Sequence, residues 1–503
     1  MSKSKFLYLF ASIALIVSCG CEKKRELPDV DPPAFQRYSQ DNILHSKVLN
    51  TSVKYSIYFP ASYASQPQKR YPVVYMVHGY GDDNNSWNGD WLHANKKIDE
   101  LTKSGLGEMI YVFPQGFKTY FCNRYDGTFS YMDMFVNELI PLVDNSLRTI
   151  PDKQHRAVTG YSMGGFGAVA LAEKHPELFI ASASLSMSVR TDWQYMEESQ
   201  DGWNGQWGKI FGGFGQAGEA RITDYYKQHC PLYYFNEQNK SALSTVHWYM
   251  ICGDNEENLL YANDELHCVL RDNGYAHEYR VVDGGHSSSV WMPALDEVLP
   301  MFDYYINGGS LWNPTPQKPE MPAPLPVDEN GCWTSPKFLE NGRGTALLVA
   351  FDNNFQASDL PTLYAALQMP GNKDKGYIFL PCDLSKKDLA AWMTHWGNLY
   401  TLTECQVLGL GAAAQQALEC PAGSFSRYYF INPDVNDTVP VGKGQPICFA
   451  GTDRSAAYHG MNTLYNLCKK NEAEFEYRIV RGCGEPLPDI LSSLKSIYSL
   501  LIY

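Results

Sequence analysis

Polar and apolar residues alternate through "VKYSIYFP" (53–60), the pattern of a strand with one buried face. The pattern then changes. "YPVVYMVHG" (71–79) and "MIYVFPQG" (109–116) are unbroken apolar runs closed by glycine, which predicts strands covered on both faces, as in a parallel sheet. Between such runs the spacing turns helical, over "YMDMFVNELIPLVDNSL" (131–147) and again over the small-residue stretch "GGFGAVALAEKH" (164–175). "RAVTG" (156–160) is a third short strand, leading directly into that second helix. Buried strands alternating with helices predict an α/β layered fold.

The pattern breaks at "NPTPQKPEMPAPLP" (313–326), proline-rich and without apolar periodicity, an extended spacer. Beyond this spacer the chain repeats itself. "VTGYSMGGFGAVAL" (158–171) faces "VLGLGAAAQQAL" (407–418), and "EYRVVDG" (278–284) faces "EYRIVRG" (476–482) at the same spacing from "CG" and "AG" upstream. The second region reads as a shortened copy that lacks about fifty residues between its glycine turn and its next strand. The expected organisation is a signal peptide over 1–18, a tether over 19–37, an α/β domain over 38–308, a linker over 309–330 and a smaller α/β domain over 331–503. A chain of 503 residues is long enough for two such cores.

Charge narrows the partners. A formal net charge of −14 leaves no basic face for phosphate backbones, so no nucleic-acid partner is expected. At the amino end Lys3 and Lys5 precede an apolar run from Phe6 to Val17, too short to span a bilayer, which predicts an export signal. It ends in "IVSC", similar to a bacterial lipobox, so Cys19 is expected to carry a lipid that tethers the exported protein to a membrane. Of the thirteen cysteines, the eleven from Cys122 to Cys483 form no C-x-x-C pair or histidine-rich cluster, so no metal or other cofactor is expected. Most are expected to be buried small hydrophobes, with at least one free thiol.

Within this frame "RAVTGYSMGGFG" (156–167) carries G-x-S-x-G, with Ser162 between a strand and a helix. Composition alone supplies roughly 0.2 such matches in a chain of this length; the position supplies the rest. A serine hydroxyl needs a histidine to take its proton and a carboxylate to orient that histidine. Both come later in the chain, in the α/β-hydrolase order. "GDNEENLL" (253–260) offers Asp254, Glu256 and Glu257, with Glu256 favoured, and "VVDGGHSSSVW" places His286 in a glycine-rich loop after a strand. Backbone donors for an oxyanion are expected from Met163 and from Tyr80 or Gly81, where glycines at 79 and 81 permit close approach. In the second region Gly411 replaces Ser162, Gly484 replaces His286, and Asp453 in "GTDRSAAY" has no expected partner.

"HGYGDDNNSW", the block around Ser162, "CGDNEENLLYANDELH" and "HEYRVVDGGHSSSVW" together resemble the esterase D and feruloyl or acetylxylan esterase group, the first family of carbohydrate esterases, over residues 38–308. The resemblance implies an α/β-hydrolase fold and carboxylic-ester hydrolysis through an acyl-enzyme, with Ser162 as nucleophile, His286 as base and the carboxylate near Glu256 as third member. The group's usual aspartate is Glu256 here, in a loop one residue longer. Members deacylate plant xylan or act on S-formylglutathione, siderophore esters or mycolyl groups; export favours acylated polysaccharide or its oligosaccharides as substrate. The alternatives are a non-catalytic glycan-binding surface lipoprotein, or an esterase or acyltransferase on a non-carbohydrate ester. Two aromatic features stay open: Trp193, Trp203 and Trp207 either overhang Ser162 or form a satellite core, and "WMTHW" (392–396) is either a stacking patch or helical core.

Overall fold

The apolar runs that end in glycine become the central strands. A computed structural model describes residues 36–256, 258–351, 355, 357–368, 376–382 and 389–502; the export signal and Cys19 lie outside them. The first half carries β1 (Tyr38–Ser46), β2 (Thr51–Tyr58), β3 (Val73–Val77), β4 (Ile110–Pro114), β5 (Arg156–Tyr161), β6 (Ala181–Leu185), β7 (His247–Gly253) and β8 (His277–Val282). They line up as β1-β2-β4-β3-β5-β6-β7-β8, with β2 antiparallel to its neighbours and β3 to β8 parallel. This is the sheet of an α/β-hydrolase.

Every residue of β3, β4 and β5 is buried, because helices cover both faces. Helices α1 (Met163–Lys174), α2 (Leu259–Asp272) and α3 (Ser288–Asn307) come after β5, β7 and β8. Val73, Tyr75 and Val77 join one core cluster with residues of α1 and α2; Val74 and Met76 join the other with α3. The helix predicted over 131–147 forms with an interruption. Phe135–Leu139 is a π-turn just ahead of Pro141, whose ring lacks an N–H and crowds the preceding turn.

The second half contributes β9 (Trp333–Thr334), β10 (Arg343–Ala350), β11 (Tyr377–Cys382), β12 (Thr401–Leu410), β13 (Tyr428–Ile431), β14 (Pro446–Thr452) and β15 (Glu474–Val480). Their order, β15-β14-β13-β12-β10-β11-β9, repeats that of β8-β7-β6-β5-β3-β4-β2. The halves share a single sheet: β15 pairs antiparallel with β8 through Ile479 and Val281. One core cluster accordingly runs from Leu44 to Ile479 across both halves. The turn after β12 also keeps the shape of its counterpart, with Gly411 at φ 58° and Ser162 at φ 57°. Helix α4 (Ala413–Leu418) comes after that turn, and α5 (Tyr458–Lys470) joins β14 to β15 and packs on α2.

More than half of the eleven cysteines among the described residues are buried. Trp396 of "WMTHW" is buried and stacks on Tyr400; the Trp392 side chain lies outside the described residues. Among the described residues no helix is long and apolar enough to cross a membrane.

Candidate active site

Ser162 owes its position to backbone strain and to two glycines. It sits between β5 and α1 at φ 57°, ψ −119°, a conformation that costs a non-glycine residue about 1–3 kcal/mol. Three backbone bonds hold it there: Ser162 N donates to Leu185 O (2.9 Å), Ser188 N to Ser162 O (3.0 Å) and Phe166 N to Ser162 O (3.1 Å). A Cβ on Gly160 would strike the Gly164 carbonyl, and one on Gly164 would strike the carbonyl of Val77 in β3. The helix therefore packs on the sheet at backbone distance and its first turn lies directly behind the hydroxyl.

His286 and Glu256 meet Ser162 in one chain of hydrogen bonds. His286 Nε2 lies 2.9 Å from Ser162 Oγ, and His286 Nδ1 lies 2.8 Å from Glu256 Oε2. The imidazole is part-exposed, whereas the Glu256 carboxylate is fully enclosed. Its second oxygen accepts the Gly253 amide (2.9 Å) and the Ser186 hydroxyl, and Ser186 Oγ in turn accepts Trp291 Nε1 (2.7 Å). The extra methylene of a glutamate fits because the loop folds back, with Glu256 N bonded to Gly253 O, and the side chain returns to the loop's own first amide. Of the three carboxylates in this loop, Asp254 turns away to Arg478 in β15, and Glu257 lies outside the described residues. The acid loop and the histidine loop are knitted together: Asn255 N donates to Gly284 O (3.0 Å), and a Cβ on Gly253 would strike that same carbonyl.

The loop after β3 faces the elbow, since Val77 is in register with Gly160. Tyr80 sits in this turn with Gly81 at φ 89° beside it, and Gly79 lies so close to Tyr161 that a Cβ would come within 2.6 Å of its ring. Met163 heads α1, where an amide has no intrahelical acceptor. Buried His78 braces the loop: its Nδ1 donates to Gly79 O (2.7 Å) and its Nε2 accepts Gly116 N (2.8 Å). Burial holds its pKa below the ordinary histidine range, against the hydrogen bond to Gly79, so it stays neutral and can accept.

Aromatic rings surround these loops. Trp291 stands edge-on to His286 (5.0 Å between centroids) and stacks on Tyr161 (4.5 Å). Trp91, 46% exposed, stands edge-on to both Tyr161 and Trp291 (5.8 Å each). Exposed Tyr80 lies 6.1 Å from Tyr120, which lies 4.7 Å from Trp207. Trp203 and Trp207 are buried with Tyr195, Phe211 and Tyr226, so they form a core behind Tyr120 instead of an overhang, while Trp193 is exposed against Tyr261.

Sequence reasoning missed Ser186, Trp291 and His78. Ser186 had one usable signal, its place just beyond the end of β6, the strand next to β5, which leads into Ser162. Asp453 also needs correction: Arg280 of β8 pairs with it at 2.7 Å, a partner hidden from sequence reasoning because it lies in the other half. Among the described residues, Asp254, Asp283 and Glu476 place carboxylate oxygens within 4.8 Å of one another, and Arg478 pairs with all three.

A family model described as "Putative esterase" matches residues 46–302, just over half the chain. The chain belongs to this esterase family. It is 28% identical over 178 residues to an endo-1,4-beta-xylanase/feruloyl esterase of Xylanibacter ruminicola, covering 32% of this chain and 24% of that protein. It is 32% identical over 129 residues to an esterase of Mycobacterium tuberculosis, covering 25% and 27%. The chain thus spans about a quarter of the length of these curated relatives. Among solved structures, a ferulic acid esterase is 26% identical with a TM-score of 0.44, over 54% of this chain and 99% of its own.

Proposed function

We propose that this protein is a serine carboxylic-ester hydrolase that removes feruloyl or acetyl groups from plant cell-wall xylan or its oligosaccharides. The observation that carries the reading is the continuous hydrogen-bond chain from Ser162 Oγ through His286 to the enclosed carboxylate of Glu256. In this reading Ser162 Oγ attacks the ester carbonyl carbon while His286 Nε2 takes its proton, and Glu256 holds Nδ1–H and offsets the charge of the imidazolium. The amides of Met163 and of Tyr80 or Gly81 receive the oxyanion. His286 then protonates the departing sugar oxygen, and water, activated by the same nitrogen, releases the acid from Ser162.

The choice of substrate is supported by the named relative that joins a xylanase to a feruloyl esterase, and by the ring-lined surroundings of His286, which suit an aromatic acyl group or a sugar face. The lipobox-like sequence supports a lipid anchor on Cys19 that holds the enzyme at a bacterial membrane, periplasmic or at the cell surface. Residues 331–503 are in this reading a non-catalytic esterase-like copy, supported by the shared strand order and by Gly411 and Gly484 in place of Ser162 and His286.

The test is release of ferulate and of acetate from xylan fragments by wild type and Ser162→Ala. The substitution is expected to lower kcat by about 10⁴-fold or more. Equal rates would end the catalytic reading, and turnover confined to activated aryl esters would end the polysaccharide assignment.

A further inference from the structure

The junction between the halves is built twice, by the same atoms in reverse. Asp254 Oδ2 accepts Tyr477 N (3.3 Å) and pairs with Arg478, whose guanidinium also holds Glu476 (2.6 Å). Asp453 Oδ2 accepts Tyr279 N (3.4 Å) and pairs with Arg280 (2.7 Å), whose guanidinium also holds Glu278 (2.6 Å). Each aspartate's other oxygen accepts a glycine amide of its own half, Gly284 for Asp254 (3.3 Å) and Gly482 for Asp453 (2.9 Å). Each aspartate's amide closes the same turn, Asp254 N to Val282 O (2.9 Å) and Asp453 N to Val480 O (3.0 Å).

The two clamps differ in what hangs from them. Two residues after Asp254 comes Glu256, and two residues after Gly284 comes His286, bonded to each other. Two residues after Asp453 comes Ser455, and two after Gly482 comes Gly484. We propose that Arg478 is a positioning residue for the catalytic site: by gripping Asp254 from the second half, it fixes the loop pair that holds Glu256 against His286. The second half then contributes to catalysis without touching substrate. This inference rests on the part of that reading that makes Ser162 the nucleophile.

The geometry gives the reason. Asp254 is buried and bridges the acid loop to Gly284 in the histidine loop, and its remaining contacts across the junction come from Tyr477 N and Arg478 in β15. Without the guanidinium, a buried carboxylate loses its counter-charge and the loop shifts to resolvate it. A displacement of about 1 Å at the histidine suffices to cost about 10²-fold in rate.

The test uses the full chain and a fluorophosphonate probe, with the ester assay run in parallel. The serine oxygen displaces fluoride from phosphorus and the proton passes to the histidine, so the saturating rate of labelling at Ser162 reports activation whatever the natural ester is. Arg478→Met is expected to slow saturating labelling by about 10- to 100-fold, with the half-saturating probe concentration unchanged, and Arg478→Lys to recover part of it. Asp453→Asn breaks the matching clamp and is expected to lower Tm while leaving labelling at the wild-type rate. If Arg478→Met does not fold, Asp254→Asn is read in its place, with the same slowing expected. Wild-type labelling in a folded Arg478→Met or Asp254→Asn would overturn the proposal. So would equal slowing in Asp453→Asn, which would mean general loosening. Wild type that labels at Ser162 but hydrolyses no ester would sink the esterase reading alone, and wild type that does not label would sink both.

Discussion

Glu173 sits on α1, buried, and neither of its carboxylate oxygens has a hydrogen-bond partner among the described residues. Burial pushes its pKa up from the ordinary 4.5 to about 8. Between these two values the folded state holds a proton that the unfolded chain has released, so stability falls as pH rises from about 4.5 to 8 and levels off above. Glu173→Gln keeps the shape and removes the titration. Thermal melts at pH 5 and pH 8 are expected to show the variant more stable than wild type at pH 8, by about 2 °C or more, with the two converging at pH 5. At this scale the sequence is legible where chemistry imposes an order: the proposed nucleophile, acid and base appear along the chain as Ser162, Glu256 and His286. It is silent on the residues that serve them through space, since Trp291 reaches Ser186 across 105 positions and no local pattern marks the pair.

Helix α1 and strand β3 meet at backbone distance beside Ser162. The reason the motif demands a second glycine is that α1 must pack at Gly164 against the backbone of Val77 and His78. The second half is the natural comparison: at the matching place, two residues after Gly411, it carries buried Ala413, in a turn that presents no hydroxyl. Gly164→Ala is therefore expected to push α1 off β3, shifting Ser162 and the Met163 amide together. Saturating labelling at Ser162 should drop by about 10²-fold, with a lower Tm. A variant that labelled normally would mean that the close approach serves packing alone. Elements of this kind are readable from periodicity, because a strand buried on both faces must be apolar throughout. The π-turn over Phe135–Leu139 is not, although Pro141 is in plain view, because helical spacing survives a one-residue slip and hides it.

At the scale of the whole molecule, the proline-rich stretch reads as a boundary between two bodies, and the repeat suggests that each has its own core. The strands do divide at that stretch, and the two halves have the same strand order, but the β8–β15 pair turns two sheets into one of fifteen strands among the described residues. The repeat itself does not reveal that junction, because the edge strands that meet are copies of each other, "EYRVV" and "EYRIV", and a repeat does not say that its units face one another. Arg280 and Arg478 within those copies are the available signal: charged residues in strands that are otherwise buried need partners, and each finds its aspartate in the opposite half. Shared sheet, shared core and reciprocal clamps have a thermodynamic consequence. Neither half can unfold without exposing Val281 and Ile479 and stranding a buried aspartate and an arginine. Calorimetry of the full chain is expected to give one transition with calorimetric and van't Hoff enthalpies in agreement, and Leu464→Ala, in α5 of the second half, should lower the same single Tm as Leu260→Ala in α2 of the first. Each deletes a fully buried leucine and should cost about 2–5 kcal/mol. Two separate transitions, each moved by one variant and not the other, would mean that the halves are independent bodies and that the junction carries little of the stability.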